Sequence, residues 1–250
     1  MRRRESATQA VDTVRASVAF LTRVPVGRRP LSADDVARGA ALFPLVGAGV
    51  GAAVGGTAVL LEPTFPALLA AALAVAIELV LTGALHVDGL ADTADALGAA
   101  TRARSLEIMR DPRIGSFGAG AIAVDLLVRT AAIAALLDRG GALVSLTVAG
   151  ALGRSAILPL AAALPYARPG GGLSDRIGLR AAVVGTIVAG ALAIGLAGWI
   201  GAAMLGTSLL ATALLGVAYR RRFGGSTGDL LGAAVEVTVT ATLLVSVALR

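Results

Sequence analysis

Cysteine and lysine are absent from this 250-residue chain, and histidine occurs once, as His86. Without cysteine there are no disulfides, no thiol nucleophile and no Cys/His zinc site, and without lysine there is no Schiff base and no Walker-type phosphate loop. Aromatic residues are scarce at 3%, and charged residues reach only 15%. The pI of about 11.2 therefore does not point to nucleic acid: Trp199, Tyr166 and Tyr219 are the only aromatics besides phenylalanine, and all 22 basic residues are arginines that cluster between apolar segments. Chemistry in this chain must come from carboxylates, arginines and one imidazole.

What is abundant is apolar. Hydrophobic residues make up 56% of the sequence and the mean hydropathy is +0.83, more than a soluble core requires. Segments near the bilayer-spanning length fall at 39–61, 66–85, 114–137, 142–165, 180–203, 204–219 and 230–249. The expected fold class is all-α: a polytopic membrane helix bundle of about seven transmembrane helices plus an N-terminal amphipathic helix. Residues 1–38 form a cytoplasmic or interfacial segment in which Val11, Val14, Val18 and Leu21 make the apolar face of a short helix lying on the lipid bilayer, and no signal peptide follows Met1. Residues 1–250 read as a single membrane domain. Gly47, Gly51 and Gly55 share one helix face and predict close helix packing rather than phosphate binding.

Arginine placement orients the bundle. With the N-terminus inside, eighteen arginines fall in cytoplasmic segments and two, Arg139 and Arg250, fall outside. That topology, N-in and C-out, suits a bacterial cytoplasmic membrane. It brings "HVDGLADTADAL" (86–97), "RPGGGLSD" (168–175) and "RRRFGGSTGD" (220–229) to one membrane face, where they can converge.

Asp88, Asp92 and Asp95 are spaced i, i+4, i+7, so on a helix they share a stripe within an arc of about 60°. Each carboxylate would cost roughly 2.5 to 3.5 kcal/mol near a bilayer centre, and three together repel one another. A hard divalent cation with substrate phosphates answers that cost; a solvated helix face is the plainer alternative. His86 lies on the opposite side of the same helix, as a hydrogen-bonded structural residue unless a break at Gly89 turns it toward the carboxylates. Arg110 and Arg113 flank Asp111 where a short helix stops at Pro112, and a new helix opening near Gly115 would add backbone donors to an anion site. Positive-inside anchoring explains the two arginines equally well.

Arg154 lies in mid-span and must face a carboxylate or a substrate anion. Asp125 and Arg129 form an i, i+4 pair with a structural role, and Glu78 has no local partner. Asp229 reads as a solvated N-cap of the last span, which leaves Glu236, two turns further in, unexplained.

Five stretches together resemble the cobalamin synthase (adenosylcobinamide-GDP ribazoletransferase) family: "FLTRVPV" (20–26), "ARGAALFPLVGAGVG" (37–51), "LHVDGLADTADAL" (85–97), "RSLEIMRDPRIGSFG" (104–118) and "FGGSTGDLLGAAVE" (223–236). The order is the family's order. Thr82 and Gly83 stand where the family usually has two glycines, and Ala96 where a glycine often follows the third aspartate. The resemblance implies Mg²⁺-dependent phosphoryl transfer joining α-ribazole, or its 5′-phosphate, to adenosylcobinamide-GDP with release of GMP. It assigns Asp88, Asp92 and Asp95 to Mg²⁺, with one of them or His86 as general base. Arg110, Arg113 and Arg154 would hold phosphate oxygens, and Asp229 and Glu236 would complete the metal shell or bind a ribose hydroxyl. A CDP-alcohol phosphatidyltransferase, a prenyltransferase and a secondary transporter are the rival readings, and oligomerisation is left open.

Overall fold

The computed structural model describes residues 2–27 and 31–250, with side chains from residue 9 onward. Arg28, Arg29 and the side chains of Arg2, Arg3 and Arg4, all part of the expected N-terminal positive cluster, lie outside the described residues. The elements are α1 (Arg2–Leu21), α2 (Ala33–Gly39), α3 (Phe43–Leu61), α4 (Ala67–Thr82), α5 (Leu85–Leu97), α6 (Arg102–Ile108), α7 (Ser116–Arg139), α8 (Ala142–Ala163), α9 (Leu179–Arg222) and α10 (Gly228–Ala248), with 3-10 turns over Ala40–Leu42 and Leu173–Arg176. Every regular element among the described residues is helical.

Among the described residues five helices are long and apolar enough to cross a membrane, or six if the bent pair α4 and α5 counts as one span. The expected seven differ from this count at α9, a 44-residue element that holds both the 180–203 and the 204–219 segments. Gly198 interrupts it with φ 57° and ψ −130°. Beyond that break the chain folds back on itself, since a Cβ placed on Gly190 would lie 3.2 Å from the Leu205 side chain, fifteen residues away. The other boundaries agree with the apolar segments to within four residues.

Helix α8 is the centre of the bundle: 78% of its apolar window is buried, against 28% in α7 and α9. Its partner α3 approaches through the predicted glycine face. A Cβ on Gly47 would collide with the Gly150 carbonyl and one on Gly51 with the Leu146 carbonyl, so small residues are what allow the two backbones to touch. Without water to drive association, such close packing is the main attraction between helices in lipid.

Two consecutive left-handed residues, Gly83 (φ 62°) and Ala84 (φ 56°), end α4 and send α5 off at 92°. The Arg23 amide, just past α1, donates to the Leu81 carbonyl at 2.7 Å and satisfies one of the acceptors freed by that break. Helix α1 contributes Ala16, Ser17 and Leu21 to the interior, with the Ser17 hydroxyl donating to the Gly39 carbonyl at 2.8 Å. Val11 and Val14 are exposed, whereas Leu21, the fourth member of the predicted apolar face, packs inward. A helix on a bundle presents one face to protein, and its outer face is free to meet lipid.

Candidate active site

The site is built at a glycine crossing. Helix α5 runs over the start of α10 so closely that a Cβ on Gly89 would lie 2.7 Å from the Asp229 carbonyl and 3.2 Å from the Gly232 Cα. Glycine at position 89 lets the two backbones meet, and the meeting brings Asp88 and Asp229 onto one cavity of about 270 Å³. Its remaining walls come from α1, α8 and the 166–177 segment.

The segments expected to converge do so. The Ala167 amide donates to the Ser226 carbonyl and the Ser226 amide to the Pro165 carbonyl, both at 2.8 Å, which pins the 165–168 chain against the entry to α10. From there Arg168 reaches Asp229, Nη2 to Oδ2 at 2.7 Å, and its buried Nε has no partner among the described residues. Thr227, not Asp229, caps α10, its hydroxyl accepting from the Leu230 amide at 3.2 Å. Asp229 sits in the first turn, where its charge also complements the helix dipole. Arg222 donates to the Ala99 carbonyl, tying the end of α9 to the end of α5.

Along α5 the three aspartates have three different surroundings. Asp88 is exposed at the cavity, and Asp92 is half-buried, within electrostatic reach of Asp88, Asp229 and Asp95, with Arg168 opposing them. Asp95, at the end of the stripe, is engaged by α7: its Oδ2 accepts from the Gly115 amide at 2.7 Å and its Oδ1 from the Gly118 amide at 2.8 Å. The anion site expected at this helix N-terminus is thus occupied by the protein's own carboxylate, which caps α7 in place of the missing side chain of Gly115. A Cβ on Gly115 would lie 2.5 Å from the Asp95 carboxylate, so a larger residue there would push that carboxylate off the cap. Among the described residues no three His, Asp or Glu side chains are arranged to hold a metal ion. The cage of Asp88, Asp92 and Asp95 is therefore not preformed. An oxygen-only set of one or two carboxylates, completed by water and phosphate, is nonetheless what Mg²⁺ takes, and Asp88 and Asp92, one turn apart with Asp229 opposite, fit that requirement.

The arginines divide. Arg113 pairs with Asp111 through Nε at 2.9 Å and Nη2 at 2.7 Å, and these bonds hold the Asp111 carboxyl down to about 2. The pair is exposed and lines an open cleft together with Asp95, at the far end of the aspartate stripe from the cavity. Arg110 is exposed on the turn after α6 and is not among the residues lining either hollow.

Arg154 and Glu236, both expected at the site, belong instead to a buried charge network between α4, α7, α8 and α10. Arg154 pairs with Glu78 at 3.4 Å. Arg129 pairs with Glu78 and Glu236, and with Asp125 at 3.4 Å; the Thr240 hydroxyl donates to Asp125 at 2.6 Å. A charge inside a bundle must be matched there: Asp125 finds its match along its own helix, as its spacing from Arg129 predicts, while Glu78, Arg154 and Glu236 find theirs across helices. Arg129, with three carboxylate partners, is the hub, and Glu78, which has no local partner, links it to Arg154. His86 stands between the two groups, 3% exposed, lining the cavity and within electrostatic reach of Arg154 and Arg129, with its Nδ1 unpartnered among the described residues.

Sequence reasoning missed Arg168, the arginine that pairs with Asp229 at the cavity. It stands outside every apolar run and was indistinguishable from the other cytoplasmic-loop arginines.

Comparison with known proteins adds what the geometry cannot. A family model described as cobalamin-5-phosphate synthase matches residues 13–247. The adenosylcobinamide-GDP ribazoletransferase of Pseudomonas aeruginosa is 40% identical over 244 residues, spanning 94% of this chain and 98% of that protein. Its counterpart in Alkalilimnicola ehrlichii is 43% identical over 246 residues, 95% of each chain. No solved structure matches.

Proposed function

Because this chain belongs to the cobalamin-5-phosphate synthase family, and is by that membership a transferase of cobalamin biosynthesis, we propose that it joins α-ribazole, or its 5′-phosphate, to adenosylcobinamide-GDP. The ribose 3′-oxygen attacks the phosphorus bonded to cobinamide, a new P–O bond forms, the anhydride bond to the guanosine phosphate breaks, and GMP leaves. The hydroxyl proton passes to a base. In such a reaction the protein positions the reactants and neutralises charge, which suits a site of carboxylates and arginines without cysteine or lysine.

The observation that carries this reading is the aspartate stripe of α5, lying between an enclosed hollow at Asp88 and an open cleft at Asp95. Seven residues of helix separate the ends by roughly 10 Å, enough for a diphosphate and an incoming hydroxyl. Mg²⁺ held by Asp88 and Asp92 would offset the diphosphate charge. Asp229 orients the ribose hydroxyl, Arg168 is positioned to share a phosphate oxygen, and Arg113, in an exposed pair that exchanges readily, meets the donor's phosphates at the cleft. Asp88 or His86 takes the proton. Asp95 holds α7 in place and so sets where the stripe ends.

The arginine bias supports a site on the cytoplasmic face of a bacterial inner membrane, with the chain as a multi-pass membrane protein. The test is GMP release from adenosylcobinamide-GDP by purified protein in vesicles, with α-ribazole and Mg²⁺ each left out in turn. Release that ignores α-ribazole, or no release with everything present, overturns the proposal.

A further inference from the structure

The 270 Å³ cavity has a composition of its own. Phe20, Ile157, Leu173, Ile177 and Leu231 line it, from α1, α8, the 3-10 turn and its following residue, and α10. Its imidazole and carboxylates, His86, Asp88 and Asp229, come from the glycine crossing, and Tyr166 and Ser174 add two hydroxyls from the facing segment. A ligand shaped to it has an apolar body and a hydroxyl-bearing end.

Size narrows the choice. A cavity of roughly 150 Å³ accepts one benzene ring, so this one accepts a fused two-ring aromatic together with part of a sugar. A macrocycle built from four rings around a metal has no room. Guanine would fit by volume but less well by chemistry: Asp88 and Asp229 could accept from its N1–H and N2–H, but only the Tyr166 and Ser174 hydroxyls stand among the otherwise aliphatic and phenyl walls to meet the acceptors along the rest of its edge. An acyl chain would leave Asp88 and Asp229 facing hydrocarbon. What remains is a weakly polar aromatic base on a ribose.

We propose that this cavity is the seat of the acceptor's aromatic base, with the ribose turned toward Asp88 and Asp229 and the bulky donor kept outside, along the stripe and the Arg113 cleft. The inference rests on the transferase reading above and adds which substrate is enclosed. It also accounts for the position of Phe20, which lies on the α1 side of the hollow and stacks on Phe43 with ring centroids 5.6 Å apart.

Leu173→Trp fills the cavity from a surface turn, and Ile177→Ala enlarges it. In purified full-length protein, Leu173→Trp is expected to raise KM for α-ribazole tenfold or more, while KM for adenosylcobinamide-GDP stays within twofold. Ile177→Ala is expected to shift preference toward ribosides of a larger fused base. Equilibrium dialysis of α-ribazole alone, without donor, reads the cavity independently: wild type binds it and Leu173→Trp does not at the same concentration. Should wild type release no GMP, the transferase reading falls while dialysis still decides the cavity. A folded Leu173→Trp protein that binds α-ribazole normally, or whose KM rises for the donor instead, overturns the proposal. A cavity filled by lipid or detergent would give that same result, normal α-ribazole binding in both variants.

Discussion

Asp92 sits at the middle of the stripe, and its neighbours Asp88, Asp95 and Asp229 all place negative charge near it. Asp92→Asn keeps the shape and removes one charge. If Asp92 helps hold Mg²⁺, transfer should fall by about a hundredfold or more, the loss expected when one preorganised charge contact is removed, while the protein stays folded in the membrane. Assay of GMP release at saturating Mg²⁺ checks this, and near-normal turnover would return the stripe to a structural role. Arg154 behaves differently because its carboxylate partner is Glu78, not a substrate. Lysine keeps the charge but loses the planar fork, so Arg154→Lys should lower the melting temperature while turnover changes by less than about tenfold, or ~1.4 kcal/mol. A large loss of turnover with unchanged melting would place Arg154 in contact with phosphate after all. Both outcomes are read on one detergent-solubilised preparation.

At the scale of elements, the hinge is the end of α5. Helix α7 opens on two glycines whose amides point at Asp95, and no side chain of α7 itself caps it. Asp95→Ala should therefore cost about 0.5–2 kcal/mol, the usual loss when a helix cap is removed, and should loosen the Asp111–Ser116 turn that lines the cleft. Asp95→Asn retains one acceptor and should recover most of that stability. Melting curves of the two variants separate capping from metal binding, since a metal ligand would lose activity in both while only the alanine variant melted early. Equal melting of Asp95→Ala and wild type would remove the capping role. The glycine crossings follow the same logic: α3 on α8 builds the bundle, α5 on α10 builds the site, and in each the missing side chain is what permits the contact.

At the scale of the whole molecule, the two ends of the bundle are distinct. Arg139 donates to the Val247 carbonyl at 2.6 Å and Arg250 to the Gly140 carbonyl at 3.4 Å, so the α7–α8 turn and the C-terminus share one end. The segments around 97–102, 165–178 and 222–229 share the other, where the arginines gather. Reporters inserted at residue 140 and at the C-terminus should report the same side of the membrane, and one inserted at residue 170 the opposite, cytoplasmic side. Agreement of all three would overturn both the orientation and the placement of the site.

By itself the sequence determined the class of this protein and much of its plan. Runs of apolar residues, a glycine face and the i, i+4, i+7 aspartates are local patterns, and a helix turns local spacing into a shared face without help from the rest of the chain. The convergence of three loops on one end followed from arginine counting, and the family from motifs in order. Tertiary structure decided the partners. Nothing near Glu78 in sequence announces Arg129 and Arg154, and nothing near Asp95 says that its charge is spent on α7. Glu236 and Arg154 looked like site residues because a charge in an apolar run needs an explanation. The explanation was each other's neighbours, brought within reach only when four helices packed and water was gone, leaving every charge to be neutralised by whatever the fold placed beside it.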